Sequence, residues 1–357
     1  MASAETAARH AALATVGPDA IGDYATIIDV RSPAEYADDH VPGAVNYPVL
    51  DDDERARVGT LHVQHCAFEA RKVGAALITR NIARIVTSWR DEPRSFAPLV
   101  YCWRGGQRSR ALSIVMREIG WRAVQLAGGY RAYRRHVLAA LDSLPQRFRF
   151  NVVCGLTGSG KSRLLAALAA EGAQVLDLER LAAHRGSLLG DLPDAPQPSQ
   201  KRFDSLVLDA LRRFDVSRPV YVESESRKIG RLQVPAALLQ AMRGAHCVSV
   251  DLPLALRVGL LQQEYAHFVR DPDLLRKRLA PLLPLVGKAT IDRWHALAVD
   301  GAHDRLVEAL LTEHYDPTYL RAIDRNFPNL AHARKVVPAS ITPDAFRATA
   351  RELIADR

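Results

Sequence analysis

One segment restricts what this chain can fold into more than any other. Phe150-Asn151-Val152-Val153-Cys154 is an apolar run of strand character, and it passes directly into Gly155-Leu156-Thr157-Gly158-Ser159-Gly160-Lys161-Ser162. This stretch fits G-x-x-x-x-G-K-[ST], a pattern that needs a strand before it and a helix after it. The glycines let the backbone turn sharply enough for its N–H groups to face inward. Wrapped that way, Gly155, Thr157, Gly158, Ser159 and Gly160 grip a phosphate, Lys161 adds a point charge, and Ser162 can ligate a divalent ion such as Mg2+. The owner of the phosphate stays open: a nucleotide, a diphosphate ester or a nucleic acid. Strand–helix alternation continues at residues 174–177 and 219–222, with a loop marked by Pro193, Pro196 and Pro198 between them. Glu223 and Glu225 follow the second of these strands, where a carboxylate either orients a metal or caps a turn. Beyond about residue 252 the pattern becomes mostly helical, broken at Pro281, Pro284, Pro317 and Pro338.

The first part of the chain alternates as well. Apolar runs at residues 27–30, 99–102 and 123–126 read as strands, and Leu112, Val115, Met116 and Ile119 form one face of a helix closed by Gly120. Short strands alternating with helices imply parallel sheets covered on both faces, so the fold class is α/β in both halves. The reactive segment here is Cys102-Trp103-Arg104-Gly105-Gly106-Gln107-Arg108-Ser109. It places a cysteine at a strand end, then a loop with two glycines and two arginines, then a helix N-terminus. Glycine turns and the helix dipole favour an anion on the sulfur: a thiolate, a persulfide or a perselenide. Cys102 is therefore the candidate nucleophile, with Arg104 and Arg108 supporting its anion and binding an incoming oxyanion.

Charge is unevenly placed. Residues 1–56 carry 3 basic and 11 acidic side chains, residues 57–150 carry 17 and 5, and residues 151–357 carry 28 and 24. A basic block behind an acidic lead suits a polyanionic partner or anionic small substrates. Arg131, Arg134, Arg135, Arg212-Arg213, Arg276-Lys277-Arg278 and Arg334-Lys335 are candidate phosphate contacts. No stretch free of Lys, Arg, Asp and Glu exceeds 11 residues, against the roughly 20 that span a bilayer. Glu5 and Arg9 interrupt the N-terminal segment, which lacks the basic-then-apolar plan of a secretory signal. Four cysteines with no CxxC pair point to a reducing, cytoplasmic compartment, and no membrane partner and no metal cluster are expected.

Asp29-Val30-Arg31-Ser32-Pro33-Ala34-Glu35-Tyr36 and His40-Val41-Pro42-Gly43-Ala44-Val45-Asn46 resemble the opening of a rhodanese domain. Cys102 to Ser109 is similar to that family's active-site loop, and Gly128-Gly129-Tyr130 to its closing turn. The resemblance implies sulfur or selenium carried on Cys102, and structural support from Asp29 and Arg31. In the second half, Asp177-Leu178-Glu179-Arg180-Leu181-Ala182-Ala183-His184-Arg185-Gly186-Ser187 resembles a segment of bacterial tRNA 2-selenouridine synthases. So do Gln197-Pro198-Ser199-Gln200-Lys201 and Val222-Glu223-Ser224-Glu225-Ser226-Arg227-Lys228-Ile229-Gly230, and in the first half Val58-Gly59-Thr60-Leu61 and Phe68-Glu69-Ala70-Arg71. The likeness covers about residues 15–330.

That resemblance implies a rhodanese-like parallel sheet with flanking helices over residues 12–141, a linker at 142–147, and a P-loop α/β domain with a helical C-terminal part over 148–357. It implies conversion of wobble 2-thiouridine to 2-selenouridine in tRNAs for Lys, Glu and Gln through an S-geranyl intermediate. The substrates would be geranyl diphosphate and selenophosphate, with no tightly bound cofactor and a selenophosphate-producing enzyme as a possible partner. Glu223, His184 and Arg185 become candidate substrate contacts. Arg180 stands where the family pattern has a glycine, and Leu189 where it has an aromatic residue, which would soften an apolar contact in a prenyl pocket. Cys66 has no counterpart in the pattern and reads as an incidental buried cysteine rather than a second thiol. The rival readings are a rhodanese-type sulfurtransferase with a regulatory P-loop domain, and a P-loop RNA-binding protein with a degenerate rhodanese module.

Overall fold

In both halves the central strands are short, buried on both faces and separated by helices, a pattern that pairs strands in parallel because each helix returns the chain to the same end of the sheet. A computed structural model describes residues 13–355 apart from 65, 193, 267, 269 and 270. Glu5, Arg9 and Pro193, and the terminal residues of the expected domains, lie outside the described residues. The chain divides into one unit up to Ala140 together with Asp204–Leu206, and a second of Leu141–Phe203 and Val207–Arg357.

The first unit has strands β1 (Thr15–Val16), β2 (Ile27–Asp29), β3 (Val45–Asn46), β4 (Leu99–Tyr101) and β5 (Val124–Leu126). All pair in parallel in the order β1-β5-β4-β2-β3, so the three expected strands are the central ones. Helices α1 (Pro33–Asp38), α2 (Asp52–Gln64), α3 (Ala67–Ser88), α4 (Gln107–Ile119) and α5 (Gly129–Ser143) connect them. On α4, Leu112 and Met116 are fully buried among Ile28, Val30, Val100, Trp89 and Trp121, and Val115 packs at the edge of that core. Ile119, expected on the same face, is exposed: it ends the helix, and Gly120 turns the chain away in the left-handed conformation. The segment expected as a linker is helical. It forms the last turn of α5 and a 3-10 turn over Leu144–Arg147, with Pro145 buried.

In the second unit β6 (Phe150–Cys154), β7 (Gln174–Leu176), β8 (Val220–Glu223), β11 (His246–Val250) and β12 (Arg334–Val336) form another all-parallel sheet, ordered β12-β11-β6-β8-β7. A small antiparallel hairpin, β9 (Lys228–Ile229) and β10 (Leu232–Gln233), stands apart. The helices that matter below are α6 (Lys161–Ala170), α7 (Leu178–Leu181), α8 (Gln200–Arg212), α9 (Ala236–Arg243), α10 (Leu254–Glu264), α11 (Pro272–Leu279), α12 (Lys288–Val299), α13 (His303–Leu310), α14 (Asp316–Asn326) and α15 (Pro343–Ala355). A π-helical turn at Leu311–Tyr315 joins α13 to α14. The region after residue 252 is helical as expected except for β12. That strand pairs at the sheet edge with Arg334 and Lys335 exposed and Val336 buried, too short for an alternation signal.

Candidate functional site

Each unit offers one loop at the C-terminal end of a central strand, the usual place for chemistry in a parallel sheet. In the first, β4 delivers Cys102 into a turn that α4 then follows. The turn is held by backbone: Tyr130 N–H donates to the Cys102 carbonyl at 2.8 Å and Arg131 N–H to that of Trp103 at 3.0 Å. Gly129 has φ +55°, and a Cβ there would collide with the Cys102 carbonyl and the Gly105 nitrogen, so the closing turn admits no side chain. The Ser109 hydroxyl lies 3.1 Å from Cys102 Sγ as a donor, and Gln125 Nε2 donates to Ser109 Oγ at 2.6 Å. Gln125 also donates to the Gly105 carbonyl at 2.9 Å. Cys102 is buried, yet it lines a cleft of about 1110 Å³ together with Arg55, His62, Arg71, Arg104 and Arg108.

Arg108, expected to support the sulfur, is turned to a carboxylate. Its guanidinium donates to Glu35 at 2.6 and 3.2 Å. Burial would raise the Glu35 carboxyl, but Arg108 beside it holds it below the ordinary carboxylate range. Arg104 is exposed on the same cleft. Asp29 and Arg31 act behind the loop. Their buried ion pair, 2.6 Å, sits under the Tyr130 ring, with the Arg31 guanidinium carbon 4.0 Å from its centroid. Cys66, expected to be buried, is exposed at the N-cap of α3. There backbone N–H groups of Glu69 and Phe68 hold its thiol below the ordinary range.

In the second unit β6 ends at Cys154, and the chain turns through residues 155–160 into α6. Gly158 and Gly160 are left-handed, at φ +76° and +85°. A Cβ on Gly158 would meet Leu261 at 2.8 Å, and one on Gly160 would strike the Phe346 ring. Thr157, Gly158, Gly160, Lys161 and Ser162 line a cleft of about 640 Å³. Gly155 and Ser159 are buried beneath it: Gly155 N–H donates to Tyr319 Oη at 2.9 Å, while the Ser159 hydroxyl has no partner. Lys161 folds back onto the Gly155 and Leu156 carbonyls at 2.8 and 3.3 Å. Buried Arg257 of α10 clamps the loop, donating to the Thr157 carbonyl at 2.9 and 2.8 Å and pairing with Asp316 of α14.

Parallel pairing of β6, β8 and β7 brings acids to the loop, since each strand ends on the same side. Ser162 donates to Glu179 at 2.9 Å, and Glu179 N–H donates to Glu223 at 2.6 Å. Glu223 is pushed far above the usual carboxylate range by burial and by the charges of Asp177, Glu179 and Glu225. Burial, reinforced by Glu179, lifts Glu225 to about 8. Glu223 does not line the cleft, whereas Glu225 does. His184 and Arg185 line it as well. His184 is buried, and burial lowers its basicity; Nδ1 accepts from Gly186 N–H at 3.1 Å, which fixes the turn. Arg185 donates to the Glu264 carbonyl at 2.6 Å with its guanidinium against the Tyr265 ring. Among the described residues no three His, Cys, Asp or Glu side chains are arranged to hold a metal. A divalent ion at this loop would rest on Ser162 and phosphate oxygens, with Glu179 behind Ser162.

Of the candidate phosphate contacts, Arg213, Arg276 and Arg278 are paired with Asp209, Asp292 and Asp191. Arg131 and Arg135 stand exposed on α5. The residues that escaped sequence reasoning are Gln125, Glu35, Arg257, Asp316 and Tyr319. Each acts on its loop from a distant element, and only Glu35 carried a signal, as part of the rhodanese-like opening.

Two family descriptions match the chain, a rhodanese-like domain over residues 18–136 and a tRNA 2-selenouridine synthase AAA domain over residues 148–273. The tRNA 2-selenouridine synthase of Nitrosomonas europaea is 34% identical over 280 residues, covering 76% of this chain and 71% of that protein. The protein of the same name from Bdellovibrio bacteriovorus is 37% identical over 341 residues, covering 84% of this chain and 89% of its own length. That from Hydrogenovibrio crunogenus is 33% identical over 322 residues, covering 82% and 88%. No helix among the described residues is long and apolar enough to cross a membrane.

Proposed function

The chain belongs to the tRNA 2-selenouridine synthase family, and from that premise we propose that it replaces sulfur by selenium at the wobble 2-thiouridine of tRNAs for Lys, Glu and Gln, in the cytoplasm, with geranyl diphosphate and selenophosphate as substrates. The observation that carries this reading is the pairing, in one chain, of a hydrogen-bonded cysteine on a basic cleft with a phosphate loop on a cleft of its own.

The chemistry follows from leaving groups. A thiocarbonyl sulfur departs poorly, so it must first be alkylated. The sulfur on C2 attacks C1 of geranyl diphosphate, the C–O bond breaks, diphosphate leaves and the N3 proton is lost. Lys161 and the amides of residues 157–162 stabilise the charge that builds on the departing diphosphate. Mg2+, when bound at Ser162, supplies further neutralisation of that charge. Water cleaves the P–Se bond of selenophosphate and phosphate leaves. The selenide attacks the sulfur of Cys102 held as a mixed disulfide with a small thiol, expels that thiol, and remains on Cys102 as a perselenide, whose anion Ser109 and Arg104 support. The perselenide attacks C2, the C2–S bond breaks and geranyl thiolate leaves. A thiol co-reactant then attacks the Cys102 sulfur, the S–Se bond breaks, selenium stays on the base, and the mixed disulfide on Cys102 is reformed for the next turnover.

The test divides the two steps. Incubated with 2-thiouridine tRNA, geranyl diphosphate and selenophosphate, wild type yields 2-selenouridine by nucleoside mass spectrometry. Cys102→Ala accumulates the S-geranyl nucleoside and forms selenouridine at least about a thousandfold more slowly, as loss of a covalent nucleophile requires. Selenouridine formed by Cys102→Ala at the wild-type rate overturns the assignment. A wild type that instead moves sulfane sulfur from thiosulfate to cyanide and leaves tRNA unchanged would establish the sulfurtransferase reading.

A further inference from the structure

The phosphate cleft does not end at the phosphate loop. A second cavity, about 70 Å³, adjoins it and shares Thr157, Ser187, Leu261, Tyr265 and Tyr315 with its wall. Beyond these residues its accessible wall is mostly hydrocarbon, contributed by Leu189, Leu275 of α11, and Leu306, Val307 and Leu310 of α13, with Gln262 and His303 as further polar side chains on it. Such a void offers water few polar partners and forfeits dispersion contacts until an apolar group fills it. Two of its hydroxyls belong to residues that it shares with the phosphate cleft. The Tyr265 hydroxyl is 3.4 Å from that of Ser187. The Tyr315 hydroxyl, at the end of the π-helical turn, is buried beside Ser187 and the Leu189 backbone without reaching a hydrogen bond to either. π turns recur at functional sites because they re-aim side chains out of helical register.

A phosphate grip beside a largely apolar cavity fits one class of ligand, an ester with an anionic phosphate at one end and hydrocarbon at the other. A nucleotide, whose base and ribose carry donors and acceptors, would leave those groups unpaired there. Size narrows the class. The cavity holds about five times the ~10–15 Å³ of probe volume that one water needs, room for roughly one five-carbon branched unit with the rest of a short chain in the neck, and too little for a long polyprenyl one. We infer that this cavity is the chain pocket of the prenyl diphosphate, with Leu306, Val307 and Leu310 setting chain length and Tyr265 and Tyr315 at the neck between chain and diphosphate. The inference rests on the prenyl-donor reading given above. It also gives Leu189 a place, since this residue stands where the family pattern has an aromatic one and its side chain forms part of the pocket wall.

Calorimetric titration of the full chain with geranyl diphosphate, farnesyl diphosphate and inorganic diphosphate tests it. Wild type should bind geranyl diphosphate at least about tenfold more tightly than inorganic diphosphate, the difference being the buried chain. Val307→Phe, which fills the cavity from a half-buried position, should erase that preference and leave the inorganic diphosphate affinity unchanged. Leu310→Ala, which enlarges it, should shift selectivity from geranyl toward farnesyl diphosphate by about tenfold. Equal affinity of wild type for geranyl and inorganic diphosphate overturns the pocket while leaving a diphosphate-binding loop in place. Failure to bind any of the three overturns the prenyl-donor reading and the pocket together. Should Val307→Phe lose inorganic diphosphate as well, Leu310→Ala decides: an unchanged farnesyl-to-geranyl ratio overturns the pocket.

Discussion

The two loops are built to the same local plan, a strand, a glycine turn and a helix N-terminus, but they differ in how far their own surroundings satisfy them. The sulfur loop is nearly complete. Its carbonyls are taken by Tyr130 and Arg131, its thiol by Ser109, that hydroxyl by Gln125, and Arg108 by Glu35. The phosphate loop is left in deficit. Lys161 turns back on carbonyls, Ser159 Oγ and one Glu223 oxygen have no partner, and buried carboxylates crowd one another. A group that carries a covalent passenger must hold its geometry whether loaded or not. A loop that binds and releases a dianion gains by leaving charge uncompensated until the ligand arrives.

The sharpest way to break that contrast is to empty the support behind the sulfur loop. Arg31→Ala leaves Asp29 buried without its cation and removes the donor to the Asp39 carbonyl. Losing one partner of a buried pair typically costs about 3–5 kcal/mol. The expected result is that much loss in urea unfolding of the first unit, followed by the fluorescence of Trp89, Trp103 and Trp121, with diphosphate binding by the folded chain unchanged. A loss below about 1 kcal/mol, the scale of an exposed pair, would mean that the loop is not braced from beneath.

A smaller effect should separate the loops by pH. Glu225 is raised to about 8 in the fold by burial and by Glu179, against about 4.3 in an unfolded chain. The folded state therefore holds the extra proton between those values, so its stabilising contribution is complete below about pH 4 and is lost as pH rises toward 8. Without ligand, the second unit should lose stability progressively as pH rises through that window, and Glu225→Gln should flatten the slope. Diphosphate or Mg2+ should shift the curve, because each draws Lys161 or Ser162 into new contacts. A pH-independent stability in wild type would remove the claim that this loop is held in deficit.

What could be read from the sequence was contiguous. The octet ending in Lys161-Ser162 and the segment from Cys102 to Ser109 state their chemistry locally, because glycine spacing, a strand and a helix start lie within a few residues. The braces were not legible, since Arg257 reaches Thr157 across 100 residues and Tyr319 reaches Gly155 across 164. Nor was the apolar cavity: Leu306, Val307 and Leu310 have ordinary core-helix spacing, and periodicity cannot tell a filled core from one with a void. β12 escaped because three residues at an edge, two of them basic and exposed, carry no alternation. Cys66 was misjudged on the general tendency of free cysteines to be buried, which a helix N-cap on the surface overrides.

The smallest predicted effect probes the finest part of the contrast. Ser109 Oγ is the hydroxyl donor to Cys102 Sγ, and Gln125 holds that hydroxyl in place. If the sulfur loop exists to keep a chalcogen anion positioned, Ser109→Ala should slow selenium transfer about tenfold, the worth of one hydrogen bond to a charged acceptor. S-geranyl formation, which depends on the other loop, should not change. Ser109→Thr keeps the hydroxyl and should recover most of the rate. Gln125→Leu should cost less than Ser109→Ala, and the double variant no more than Ser109→Ala alone, because the amide acts only through the hydroxyl. Additive losses would show that Gln125 acts through the Gly105 carbonyl and the turn instead, which would make the wiring of the sulfur structural rather than electrostatic.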